Sequence, residues 1–180
     1  MKIIMEDGMI KTSLRNKFLF SLLCAGVLTM NFARGAVVMH DNIWSFIDSV
    51  RPALSISAES LQPLLPGPLN IYKENHYFSF YHSSEFTLVD GTKLKNLNLR
   101  VNKKENDKPF IFYVDVSDRC IKLEEVRKHY PSLVITETPQ GHSSEDVTGY
   151  SSAPDEKGQV VTFSFAENKA ECLSSVIIKN

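Results

Sequence analysis

Five consecutive residues, His142, Ser143, Ser144, Glu145 and Asp146, supply the side-chain types of a nucleophilic hydrolase. That chemistry needs a serine on a tight exposed turn, a histidine in reach to take its proton, a carboxylate to orient the imidazole, and donors for the oxyanion. Adjacency in sequence does not supply this geometry, and the chain has no Gly-x-Ser-x-Gly elbow. A solvated polar loop accounts for the run more simply. An exported hydrolase using His142 with Ser143 or Ser144 stands as one alternative.

A metal centre would need converging histidine and acid ligands. His76 and His82 stand an even number of residues apart, with Phe78 and Phe80 between them on the same strand face. Six residues of strand separate their rings by about 20 Å, too far for one ion. His40 and Asp41 are adjacent without obvious partners. There is no phosphate-binding loop and no dinucleotide fingerprint. Neither a metal nor a cofactor is expected.

Cysteine chemistry depends on the compartment. Lys11, Arg15 and Lys17 precede an apolar run over 18–33, and Ala33, Gly35 and Ala36 supply small residues for cleavage. This is the pattern of a secretory signal peptide, and the run falls short of the roughly 20 residues of a membrane span. Residues 1–35 are therefore expected to be a leader cleaved near Gly35. Glu6 and Asp7 ahead of the positive run point to Met9 as the true start. Cys24 sits inside the apolar run, with Ser21 and Leu23 poorly suited to a lipidation signal. Cleavage leaves Cys120 and Cys172, which in an oxidising compartment are expected to pair as a disulfide.

The exported part, residues 36–180, is long enough for one domain with a real core. Cleavage removes five of the 20 Lys and Arg and two of the 21 Asp and Glu, leaving a formal net charge of −4. Nucleic acid and anionic membrane are poor partners for that balance, and no stable membrane insertion is expected. No Asn-x-Ser/Thr acceptor occurs, which suits a bacterial periplasm.

The elements that must position any site follow from periodicity. Ile43, Phe46, Ile47 and Val50 predict a helix over 41–51, capped by Asp41 or Asn42 and stopped by Pro52. Residues 60–68, with three prolines and a glycine, read as an irregular connector. Strands are expected over 76–83, 85–89, 97–102 and 110–116, with a tight turn at Asp90-Gly91. Leu97, Leu99 and Val101 alternate with Asn98, Arg100 and Asn102, so one face of that strand is wet. Residues 110–116 are apolar on nearly both faces and read as a central strand. A second short helix is expected over 121–130, then a strand over 133–138. Residues 139–159 read as a loop with a short strand near 147–150, followed by a hairpin of 160–166 and 172–179. The expected fold is α+β: a single domain with an antiparallel β-sheet and two short helices after the leader. A helix followed by a disulfide-closed antiparallel meander is a layout shared with small envelope inhibitor and assembly domains. The repeated His-Ser-Ser-Glu at 82–85 and 142–145 reads as chance.

Surface charge is polarised. Residues 93–108 carry Lys93, Lys95, Arg100, Lys103, Lys104 and Lys108 against Glu105 and Asp107, while 137–156 carry five acids and no Lys or Arg. A charge-complementary protein partner suits such a surface. These features point to a periplasmic or secreted, non-enzymatic binding protein: an inhibitor or immunity protein that occludes an envelope-targeted enzyme, such as a secreted toxin or cell-wall hydrolase. Its expected contacts are Glu145, Asp146 and His142 of the acidic loop, with Tyr77 and Tyr81 of the aromatic edge. A second alternative is an envelope assembly or small-ligand module with a pocket lined by Phe78, Phe80 and Tyr81.

Overall fold

Asn42 starts the chain's first regular element. Its Oδ1 accepts from the backbone N–H of Trp44 and Ser45, each at 3.0 Å, and Ser45 Oγ accepts in return from the Asn42 N–H at 3.2 Å. This capping box satisfies donors that a helix start would leave open. The structure, a computed structural model, describes residues 39–105, 107–141 and 143–180. The expected leader over 1–35, Cys24 and His142 lie outside the described residues.

The first helix, α1 (Ile43–Leu54), turns Ile43, Phe46, Ile47, Val50 and Leu54 inward. It runs past Pro52, where the sequence predicts a stop. Proline removes only the N–H that would meet the Asp48 carbonyl, and both residues lie on the exposed side of the helix. The connector is more regular than expected: Glu59–Leu64 forms a 3₁₀ helix that buries Leu61.

Nine strands and a second helix follow: β1 (Asn70–Glu74), β2 (Phe78–His82), β3 (Phe86–Thr87), β4 (Lys93–Asn102), β5 (Lys108–Ser117), α2 (Leu123–His129), β6 (Val134–Glu137), β7 (Val147–Ser151), β8 (Val160–Ala166) and β9 (Ser175–Lys179). Every pairing is antiparallel, in the order β1-β2-β4-β5-β9-β8-β7-β6, with β3 added to the start of β4. The described residues form a single antiparallel-sheet domain with the helices on one face. β5 is central, as its two-sided apolar pattern predicts.

The order contains a doubling. Helix α1 precedes the meander β1-β2-β4-β5, and α2 precedes the meander β6-β7-β8-β9. In each half the first strand is an outer edge and the last strand joins the other half, antiparallel, at β5 and β9. The His-Ser-Ser-Glu tetrapeptides do not mark this doubling. The first starts on His82, the last residue of the second strand of its half, and the second precedes the second strand of its own.

Alternation sends one row of each strand under the helices. Leu97, Leu99 and Val101 of β4, Phe112 and Val114 of β5, Val161 and Phe163 of β8, and Val176 and Ile178 of β9 meet α1 and Val126 of α2 in one core. Phe46 is fully buried against Phe86 and Phe112. Trp44 of α1 stacks on His129 of α2 with centroids 4.1 Å apart, and Tyr130 lies against Phe163 at 4.8 Å. The disulfide Cys120–Cys172 joins the segment before α2 to the turn before β9, with Cα atoms 4.8 Å apart. Beside it, the Leu173 N–H donates to the Ile121 carbonyl at 2.8 Å. No helix among the described residues is long and apolar enough to cross a membrane.

Candidate functional site

The helices cover only one side of the sheet. On the other side, register sets Phe78, Phe80 and His82 of β2 beside Asn102, Arg100 and Asn98 of β4. A bulge in β1 turns Tyr72 onto this face, edge-on to Phe80 at 6.3 Å and to His82 at 5.5 Å. Phe110 of β5 stacks on Phe78 at 6.0 Å. The result is a ladder of aromatic rings in which Tyr72 is 54% exposed and Phe110 39%.

Cations are threaded through the ladder. The Arg100 guanidinium lies 5.7 Å from the Phe78 centroid and 5.1 Å from that of Phe80. Lys73 Nζ lies 5.7 Å from Phe80, and Lys104 Nζ 4.2 Å from Tyr77. Such contacts contribute about 0.5–1 kcal/mol each at exposed sites. They hold the heads in place without neutralising them. The acids of these four strands are Glu74 and Asp115, and both are engaged. Glu74 pairs with Lys103 at 2.8 Å and accepts from Ser79; these contacts hold its carboxyl below the usual range. Asp115 accepts from Tyr113 Oη and from Asn96 Nδ2. Burial, then the bond to Asp115, pushes the Tyr113 phenol up to about 12.

At one end of the ladder, β4 bulges between Lys95 and Asn98, with Asn96 at φ 49°. Asparagine tolerates this left-handed conformation better than most residues. The bulge helps form a 530 Å³ hollow whose lining includes Tyr72, His82, Lys95, Asn98 and Glu85, the last paired with Lys93 at 2.6 Å.

The β6–β9 half of the open face has different chemistry. Thr136, Ser151 and Thr162 form a row of hydroxyls linked at 2.6 and 2.7 Å. They floor a 680 Å³ groove whose walls include Val134, Val160 and Ile177. Gly149 permits this low floor. A Cβ there would stand 2.9 Å from Glu137 Cβ and 3.4 Å from Thr162 Cγ2.

The residues singled out in the sequence are dispersed. Tyr77 is half-exposed in the β1–β2 turn, with His76 edge-on to its ring at 4.9 Å. Tyr81 takes the opposite parity to Phe78 and Phe80, so it packs toward the helix-covered core. Burial, followed by the charge of Glu59, raises its phenol. Phe78, Phe80 and Tyr81 therefore do not line one pocket; the first two share the open face without the third. Tyr72, Lys73 and Phe110 join them there. The parity of 78–82 signals the Phe78 and Phe80 row in the sequence, but nothing local announces β1.

The acidic stretch is laced down. Glu145 Oε1 accepts from Asn168 Nδ2 at 2.8 Å, and Asp146 Oδ2 accepts from the Gln140 N–H at 3.0 Å. The N–H groups of Glu167 and Asn168 donate to the carbonyls of Asp146 and Ser144. Ser143 Oγ accepts from the Glu145 N–H at 3.0 Å, a turn-forming contact. The expected short strand is β7, and it divides the loop in two. The second part is anchored to α1 by the Arg51–Asp155 ion pair and by Gln159 Nε2, which donates to the Arg51 carbonyl at 2.9 Å. Among the described residues no group of three or more His, Cys, Asp or Glu gathers in metal-binding geometry. Comparison of the chain with protein-family models, with curated proteins and with solved structures gave no match.

Proposed function

We propose that this chain is an exported, non-enzymatic binding protein that acts by occlusion, as an inhibitor or immunity protein for an envelope-targeted enzyme, and that the open face of its sheet is the contact surface. The observation that carries this reading is the uncovered ladder of Tyr72, Phe78, Phe80 and Phe110 around Arg100. Aromatic and arginine side chains dominate the energetics of protein interfaces. A rigid sheet presents them with little ordering cost on association. Eight strands at about 4.8 Å spacing and about 17 Å length give roughly 650 Å² of face, close to the roughly 800 Å² per partner of a standard interface. The disulfide supports an oxidising compartment such as the periplasm.

The test is co-purification from periplasmic extract, with the doubly substituted Phe80→Ala/Arg100→Glu protein as comparator. A captured enzyme should lose activity on stoichiometric addition of the unaltered protein, and the variant should neither capture nor inhibit it. An enzyme retained equally by the variant, or captured without loss of activity, would overturn the proposal.

A further inference from the structure

We infer that the β1–β5 half of the open face receives an acidic stretch of a protein partner, with one carboxylate seated on the Arg100 guanidinium. This names the partner chemistry of the binding face proposed above and rests on that reading. The inference comes from how the cations are held. Lys93, Arg51, Lys103 and Arg119 all meet carboxylates of this chain. Lys73 and Arg100, which border the ladder, and Lys104, which lies over Tyr77 in the β1–β2 turn, are held by ring faces instead.

A ring face holds a guanidinium through its charge and supplies no lone-pair acceptor, so the N–H fork is left to match a carboxylate with two parallel bonds. The hollow beside Tyr72 places Lys95 and His82 within the same half, at the bulged end of β4. A segment crossing from Arg100 toward that hollow also meets two carboxylates, Glu85, which lines the hollow, and Asp115, which accepts from Tyr113 and Asn96 and keeps its charge. Glu74 and Glu85 are matched by Lys103 and Lys93, which leaves Lys73, Lys95, Arg100 and Lys108 against Asp115 on β1, β2, β4 and β5. Carboxylates are favoured over a nucleic-acid backbone by the wider charge balance. Residues 36–180 carry a net −4, which repels a long polyanion while leaving a local basic patch.

The experiment titrates the intact secreted protein at low salt with a capped hexaglutamate peptide, followed by NMR of the arginine side-chain N–H and of backbone amides. Hexalysine and a thymidine oligonucleotide of equal charge magnitude serve as the other arms. Hexaglutamate should shift the Arg100 side chain together with the amides around Lys73, Phe80 and Lys104. Arg100→Glu should weaken binding at least tenfold, and Arg100→Lys should restore only part of it, since lysine keeps the charge but not the fork. Tighter binding of the oligonucleotide, shifts confined to other surfaces, or no shift at Arg100 would each overturn the inference. Occlusion of an enzyme is read separately by the activity assay above, so either reading can fail without the other.

Discussion

Reducing the Cys120–Cys172 bond should lower stability by a calculable amount without changing the fold. The bridge closes a loop with a sequence separation of 52. In the chain-entropy treatment, a loop of that length removes about 14 cal/mol/K from the unfolded chain, or about 4 kcal/mol at 25 °C. For a domain of about 145 residues the unfolding entropy is about 0.3 kcal/mol/K, so the midpoint should fall by about 14 °C. The folded state needs no rearrangement, because the Leu173 N–H to Ile121 carbonyl bond holds the same two segments together without the sulfurs. Thermal unfolding of the oxidised protein, of the reduced protein and of Cys120→Ser/Cys172→Ser checks this by circular dichroism. The two thiol-free or reduced forms should agree with each other and keep the native spectrum. A midpoint within about 2 °C of the oxidised protein would refute the reasoning.

Two further perturbations read other parts of the fold. Gly149→Ala places a methyl against Glu137 and Thr162 across β6 and β8, and should cost about 1–3 kcal/mol by overpacking, seen as a lower denaturant midpoint. Asp155→Asn tests a pH dependence. Burial acts to raise the Asp155 carboxyl, but the N–H groups of Gln159 and Lys157 and the Arg51 guanidinium outweigh it and hold it low. A depressed carboxyl stabilises the fold above its unfolded value, and that contribution is lost as the pH falls through the folded value. The substitution should therefore cost up to about 1 kcal/mol at neutral pH, with the gap between variant and parent closing below about pH 4. An undiminished gap in acid would contradict the assignment.

The helix α1 was legible because its apolar spacing and its cap agree, and β4 and β5 because their alternation is long. The disulfide was legible by elimination once the leader was read. Pro52 misplaced the helix end, since a proline on the exposed side of a helix removes only one N–H. β1 escaped notice because all five of its residues are exposed, so no apolar rhythm marks it. Without β1 the places of Tyr72 and Lys73 in the ladder are not legible in the sequence, whereas the shared face of Phe78 and Phe80 is. The anchoring of the acidic stretch is not legible in the sequence because its partners are remote: Asn168 for Glu145 and Arg51 for Asp155. The doubled architecture was hidden for a similar reason. Its halves share a path, not a motif, and the one repeated tetrapeptide falls at unlike places in them.

The central claim is that partners are met on the uncovered sheet face. Hydroxyl-radical footprinting of the protein with its captured enzyme measures this directly, because aromatic side chains report their own exposure. The account predicts loss of oxidation at Tyr72, Phe78, Phe80 and Phe110 in the complex, with residues 143–146 unaffected. Protection confined to 143–146, with the four rings oxidised as in the free protein, would contradict it.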